Sequence, residues 1–263
     1  MSISYLVGRH RIRFAGVTDV GRVRAHNEDA LLIPNDGIAI AVVSDGMGGH
    51  AAGDVASRLT VETIGEYYGN TGEYAAPTFP LRLPPLEAER NRMTTAIKLA
   101  NSRIFEASQQ DADKKGMGCT VDAIYFAYGR FYIGHVGDSR VYRIRDGQIR
   151  QLTEDHSLLN DYRRMKEMAG EPMESVPSNV VVRALGLAER VFVDIVADEC
   201  HAGDTFLLCS DGLNDMLSDE QILAVMMQPF DRLDQPAKRL VDAANEAGGK
   251  DNITALLCAV EDA

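Results

Sequence analysis

The acids of this chain that could do chemistry sit in short islands. They read Asn27-Glu28-Asp29, Ser44-Asp45-Gly46-Met47-Gly48-Gly49-His50, Gly137-Asp138-Ser139-Arg140, Ser210-Asp211-Gly212-Leu213 and Lys250-Asp251-Asn252. Several of the carboxylates touch a glycine or follow a small residue at the end of an apolar run. There a strand hands over to a tight turn, and the backbone can approach a ligand closely. Carboxylates presented in this way, with no matching set of Cys or His, suit hard divalent cations such as Mg²⁺ or Mn²⁺. Two such ions held ~3.5–4 Å apart can share a water, lower its pKa and clamp a phosphoryl oxygen. That chemistry needs a bridging carboxylate, further carboxylates for each ion and preferably a glycine carbonyl. Taken singly, each Asp is more often a turn or cap residue; the ordered set reads as a metal cluster.

Strands dominate the segments that must position these islands. Gly37 to Val43 is a continuous apolar run, as expected of a strand buried on both faces. Thr120–Tyr128 and Arg130–Val136 flank a turn at Gly129, and Val141–Arg145 and Gln148–Leu152 flank Asp146-Gly147, a strong hairpin signal. Further strands are expected at Val191–Val196, Thr205–Cys209 and Ile253–Val260. Short turns between neighbours imply antiparallel pairing. Helices are expected over Asp54–Tyr68 and along the Met93, Ala96, Ile97, Ala100, Ile104 face. Two more follow. One opens at Ser218 with Gln221 as a capping box; the other has Pro236 in its first turn and ends at Gly248-Gly249. The proline-rich stretch Asn70–Pro85 reads as an irregular loop. Antiparallel strands with separate helices indicate an α+β fold. With no internal repeat and no linker visible, residues 1–263 read as a single domain.

Composition narrows the class of partner. Of the 263 residues, 27 are Lys or Arg against 39 acids, a formal charge of −12 that makes nucleic acid and anionic membrane poor partners. No apolar run approaches the ~18 residues of a membrane helix, and Met1–Phe14 lacks the apolar core of a secretory signal. The four cysteines, Cys119, Cys200, Cys209 and Cys258, form no CxxC pair and read as buried thiols in a reducing cytosol. The six histidines form no zinc pattern.

The islands also carry a resemblance. Arg24-x-x-Asn27-Glu28-Asp29, Asp45-Gly46-x-Gly48-Gly49, Gly116-Met117-Gly118-Cys119-Thr120, Gly137-Asp138-Ser139-Arg140, Asp211-Gly212-Leu213 and Lys250-Asp251-Asn252 resemble, in order and spacing, the bacterial branch of the PP2C (PPM) metal-dependent protein phosphatases. The match runs from about Thr18 to the strand near Val260. It implies a central sandwich of two antiparallel β-sheets flanked by α-helices on both outer faces. It also implies hydrolysis of phosphoserine and phosphothreonine in proteins by a metal-bridged hydroxide, without a phosphoenzyme.

Carried over by position, Asp45 with the Gly46 carbonyl is the bridging ligand, and Asp211 and Asp251 are carboxylates on one ion. Asp138 with Asp211 resembles a third, weaker site beside two tightly bound Mn²⁺ or Mg²⁺ ions. Glu28 and Asp29 would orient water on the other side of the cluster. Arg24 matches the arginine that grips the substrate phosphate through its planar fork, whereas Arg140 reads as structural, pairing with a nearby acid. In animal relatives a His directly follows the first Asp-Gly; here Met47 stands there. The proton donor is then expected to be a water held by Asp29 or Asp138, with His50 bracing its turn. Asp155–Gly186 corresponds to the family's flap, locally basic at residues 161–166.

The expected enzyme is thus a cytoplasmic, monomeric phosphatase acting on phosphoprotein targets of a Ser/Thr kinase, in signalling. Two rivals are a pseudophosphatase that binds phosphoproteins or kinases without hydrolysis, and a small-molecule phosphomonoesterase.

Overall fold

The alternation of apolar and basic residues at the start of the chain folds as a hairpin. β1 (Ile3–Val7) pairs antiparallel with β2 (His10–Asp19). In this computed structural model the described residues are 3–34, 37–48, 52–71, 85–160, 162, 165 and 181–263. Ten further strands follow: β3 (Asp29–Leu32), β4 (Ile40–Met47), β5 (Gly118–Cys119), β6 (Val121–Ala127), β7 (Arg130–Val136), β8 (Arg140–Arg145), β9 (Gln148–Gln151), β10 (Asp194–Glu199), β11 (Thr205–Cys209) and β12 (Ile253–Asp262). The helices are α1 (Ala52–Thr71), α2 (Pro85–Gln110), the single turn α3 (Asp211–Asn214), α4 (Asp219–Met226) and α5 (Asp234–Glu246).

The strands form two antiparallel sheets. One runs β1-β2-β12-β11-β8-β9; the other runs β10-β7-β6-β4-β3, with β5 paired to β4. Between them lies an apolar layer that includes Phe14, Val43, Phe126, Phe131, Phe206 and Leu256. Its rings meet edge-on or tilted, Phe126 on Phe206 at 5.6 Å and Phe131 on Phe206 at 4.8 Å. Such pairs add roughly 0.5–1.5 kcal/mol each beyond their burial. α1 and α2 bury Ile64, Ala96 and Ile97 against one outer face, and α4 and α5 bury Ile222 and Leu240 against the other. The α+β sandwich with helices on both outer faces is therefore what the chain adopts.

Local signals account for much of this. Asp146 and Gly147 both take positive φ, 50° and 71°, in the β8–β9 hairpin. The Ser218–Gln221 capping box is formed in both directions and opens α4. Five strands differ from the sequence reading. β1, β2 and β3 are strands beyond those expected: β1 and β2 pair as a hairpin, β2 also pairs with the distant β12, and β3 pairs with β4. The strand expected at Val191–Val196 runs instead over Asp194–Glu199, because its register is set by β7, Asp194 opposite His135 and Glu199 opposite Arg130. β4 continues through Asp45 and Gly46 to Met47, since β3 and β5 supply partners there. Asp45 is therefore a strand residue. Most of the expected loop Asn70–Pro85, and most of the expected flap beyond Asn160, lie outside the described residues.

Candidate metal centre

β3 and β4 place two acids face to face, Asp29 opposite Asp45 in the antiparallel register. Like charges directly opposite are unfavourable in a sheet, so the surroundings must compensate. Ser210 Oγ and Thr254 Oγ1 donate to Asp29 Oδ2 at 2.7 and 2.6 Å. Asp29 Oδ1 is buried and has no hydrogen-bond partner among the described residues.

The backbone around Asp45 is held from both sides. Its N–H donates to Thr120 Oγ1 at 3.0 Å, and its carbonyl accepts the N–H of Thr120 at 2.8 Å. Gly46 donates its N–H to the Glu28 carbonyl at 3.2 Å. A Cβ at Gly46 would lie 2.2 Å from the Gly53 carbonyl oxygen and 2.7 Å from that of Glu28. Only glycine allows α1 and the Glu28 loop to close so tightly on the strand.

Asn252 ties the remaining islands together. Its Oδ1 accepts the Glu28 N–H at 2.8 Å, and its Nδ2 donates to the carbonyls of Val20 and His26 at 3.0 and 2.9 Å. The loop carrying Arg24 and Glu28 is thereby fixed to the residue after Asp251. Asp211 begins α3 after Ser210, and its Oδ1 is also buried without a partner among the described residues.

Electrostatics shows that the islands converge. Burial first, then the charges of Asp29, Asp211, Asp138 and Asp251, push the Asp45 carboxyl well above the usual range. Burial raises Asp29 to about 6, against the pull of its two hydroxyl donors. Asp211 rises to about 7 through burial, then through Asp138 and Asp251. Asp138 rises to about 6, through burial and then Asp155. A cavity of ≈ 470 Å³ opens beside Asp138 and Asp211 and is further lined by Arg140, Asp155, Asn214 and Asp215.

This donor set fits hard divalent cations. It offers oxygen only, much of it buried, crowded and lacking proton donors, which is the state a cation would relieve. Among the described residues no three Asp, Glu, His or Cys side chains close around a single point tightly enough to hold an ion by themselves. Oxygen donors of this kind suit Mg²⁺ or Mn²⁺ better than zinc, which favours Cys and His.

Arg24 is half exposed and donates through Nη2 to Asp251 Oδ2 at 2.7 Å. The expected phosphate grip thus rests on an expected metal ligand. Arg140 forks onto Asp155, with Nε 2.9 and 3.1 Å from its two oxygens and Nη2 2.7 Å from Oδ2. It pairs with a nearby acid, as expected. Met47 ends β4; Gly49 and His50 lie outside the described residues. Ser210 and Asn252 stood inside the sequence islands without a role, and Thr254 was missed. Its only signal is a polar residue placed early in the apolar run of β12.

A model of the family described as protein phosphatase 2C matches residues 21–258. The chain belongs to the protein phosphatase 2C family. Its relatives in that family include the serine/threonine phosphatase stp of Listeria monocytogenes serotype 4b, 37% identical over 243 residues, 91% of this chain and 92% of that protein. The serine/threonine protein phosphatase PstP of Mycobacterium tuberculosis is 35% identical over 95% of this chain, which spans 45% of that longer protein. The crystal structure of the PstP catalytic domain in complex with two manganese ions superposes with a TM-score of 0.78 at 33% identity, covering 96% of this chain and all of that one. The Streptococcus agalactiae serine/threonine phosphatase superposes at 0.81, with 33% identity over 95% of this chain and all of that one. The protein phosphatase 2C sandwich therefore frames the carboxylate cluster described above.

Proposed function

We propose that this chain is a metal-dependent protein serine/threonine phosphatase, with Asp45, the Gly46 carbonyl, Asp211 and Asp251 holding two divalent cations. The convergence of buried, protonation-prone carboxylates on Asp45 carries the reading. A third, weaker ion falls to Asp138 and Asp211, beside the cavity. When bound, Mn²⁺ or Mg²⁺ ions supply charge that lowers the pKa of a shared water and offsets charge on the phosphoryl oxygens.

The chain's own groups do the rest. Asp29 Oδ1 is the acceptor that orients a water and receives its proton, while Ser210 and Thr254 hold the other oxygen still. Glu28, fixed through its backbone to Asn252, Gly46 and Ser57, orients water on the same side. Arg24 exchanges one carboxylate contact for the phosphate; its exposure leaves the second edge of the fork free for a bidentate grip. The proton for the seryl or threonyl leaving group comes from a water held by Asp29 or Asp138, since Met47 has none to give.

Residues 1–263 act as one domain in this reading, supported by three apolar clusters stacked on the same two sheets. Four buried, unpaired thiols suit a reducing cytoplasm. The enzyme works as a monomer on phosphoprotein targets of a Ser/Thr kinase. No helix among the described residues is long and apolar enough to cross a membrane.

The test is phosphate release from phosphoserine, phosphothreonine and phosphotyrosine peptides with Mn²⁺ and with EDTA. Turnover of the first two, dependent on Mn²⁺, is expected. Binding without turnover would favour a pseudophosphatase, and turnover confined to small phosphomonoesters would favour a metabolite phosphatase.

A further inference from the structure

Behind Asp138 lies a pair of histidines that the reading above leaves unused. His156 is 4% exposed and His135 1%, and their rings stack at 4.6 Å. His135 Nε2 lies 3.0 Å from the Glu154 carbonyl and Nδ1 lies 2.9 Å from Asp122 Oδ1. Both His135 nitrogens thus face acceptors.

His156 is bound differently. The Gly137 N–H donates to its Nδ1 at 3.0 Å, and the His156 N–H donates back to the Gly137 carbonyl at 2.7 Å. Since Nδ1 accepts, the ring proton of the neutral imidazole sits on Nε2, which faces Asp194 Oδ2 at 3.1 Å. Arg183 Nη1, 2.9 Å from the same Nε2, is held by its own bond to Asp194 Oδ1 at 3.1 Å. The His156 carbonyl accepts the Val182 N–H at 2.9 Å, and Ser157 bridges to Val181. Burial and the neighbouring His135 depress the His156 pKa to about 4, which keeps Nδ1 an acceptor at neutral pH.

Residue 156 therefore touches three segments: its side chain meets the turn that presents Asp138, the Arg183 side chain and the first residue of β10, and its backbone carbonyl meets Val182. We infer that His156 is a positioning residue: its Nδ1 accepts the Gly137 N–H and so fixes the Gly137-Asp138 turn. The inference rests on the reading of Asp138 as ligand to the weaker ion. Loss of an outer partner of this kind typically costs ~10–100-fold in metal affinity or activity.

Two substitutions separate the ends of the ring. His156→Asn keeps an acceptor near the place of Nδ1, and His156→Gln reaches toward the place of Nε2 and abandons Gly137. Two quantities are read: amide exchange of Gly137 in metal-free protein, and the Mn²⁺ concentration that half-saturates phosphopeptide turnover. Gln should speed Gly137 exchange and raise the Mn²⁺ requirement ~10-fold or more, and Asn should stay near wild type in both. Gln behaving as wild type, or Asn and Gln failing alike, would overturn the inference.

Asp138→Ala serves as the control for the reading beneath it. An unchanged Mn²⁺ requirement in Asp138→Ala, with Gly137 exchange still accelerated in His156→Gln, would remove the ligand role and leave the positioning contact standing. Should the Gln variant not fold, the ¹⁵N spectrum of wild-type His156 decides. An unprotonated Nδ1 with a protonated Nε2 supports the inference, and the opposite tautomer overturns it.

Discussion

Asp29 and Asp45 stand directly opposite one another across β3 and β4. Asp29 is relieved by two hydroxyl donors to Oδ2, and three further acids, Asp211, Asp138 and Asp251, bear on Asp45. The pair stores a repulsion that a cation would discharge, so metal affinity and the instability of the metal-free protein have one origin.

Asp45→Asn should therefore separate stability from function. It removes a buried charge at nearly constant size, so the metal-free Tm should rise while Mn²⁺ binding falls. For a chain of this length each ~1 kcal/mol moves Tm by about 2–4 °C. Calorimetric scans in EDTA check the first half, and Mn²⁺ titration checks the second. A metal-free Tm that drops in a folded variant would mean Asp45 is stabilising as it stands.

Acidification should stabilise the metal-free protein through the same acids. Asp29 and Asp138 are raised to about 6 and Asp211 to about 7, so the folded state holds protons that the unfolded chain has released. The destabilisation is fully present above pH ~7 and fades toward pH ~4. His156, depressed to about 4, opposes this over the lower part of the range. The informative quantity is the difference between wild type and Asp45→Asn. Scans in EDTA from pH 8 to pH 5 should show wild-type Tm gaining on the variant as pH falls. A constant difference would contradict the coupling.

How much of this the sequence shows depends on the range of each interaction. The β8–β9 hairpin, the Ser218 cap and the face of α2 rest on neighbours in the chain and are legible there. The metal-side acids are legible because each sits beside Gly or a small polar residue that needs its own backbone geometry. Ser210 and Thr254 meet Asp29 across separations of 181 and 225 residues, and no local pattern registers that contact. His156 is hidden for the same reason, since Gly137 reaches it from the β7–β8 turn and Asp194 from β10. β10 shifted because register against β7 outweighed the apolar start at Val191, which packs under the helices instead.

Asp138→Ala should leave two tight Mn²⁺ sites and slow turnover, because Asp138 lines the cavity and is proposed to serve only the weaker ion. Calorimetry with Mn²⁺ counts the tight sites. Loss of one of them would move Asp138 into the core set with Asp45.

Arg24→Ala should raise KM and weaken inhibition by inorganic phosphate, since both depend on the same fork. Lys should rescue only in part, having charge without bidentate geometry. Because Arg24 also bonds Asp251, Mn²⁺ affinity should rise slightly in Arg24→Ala as a competing cation is removed. Unchanged phosphate inhibition in the folded variant would leave Arg24 as a partner of Asp251 alone.

Asp211→Asn tests the centre most directly. Asp211 Oδ1 is buried without a partner among the described residues, and burial and then its acidic neighbours raise its pKa, so the substitution should relieve the fold and remove the proposed ligand together. Mn²⁺ titration and phosphopeptide turnover, measured on one folded sample, should show a weakened tight site and turnover reduced by orders of magnitude. Wild-type Mn²⁺ affinity with wild-type turnover in that sample would contradict the account.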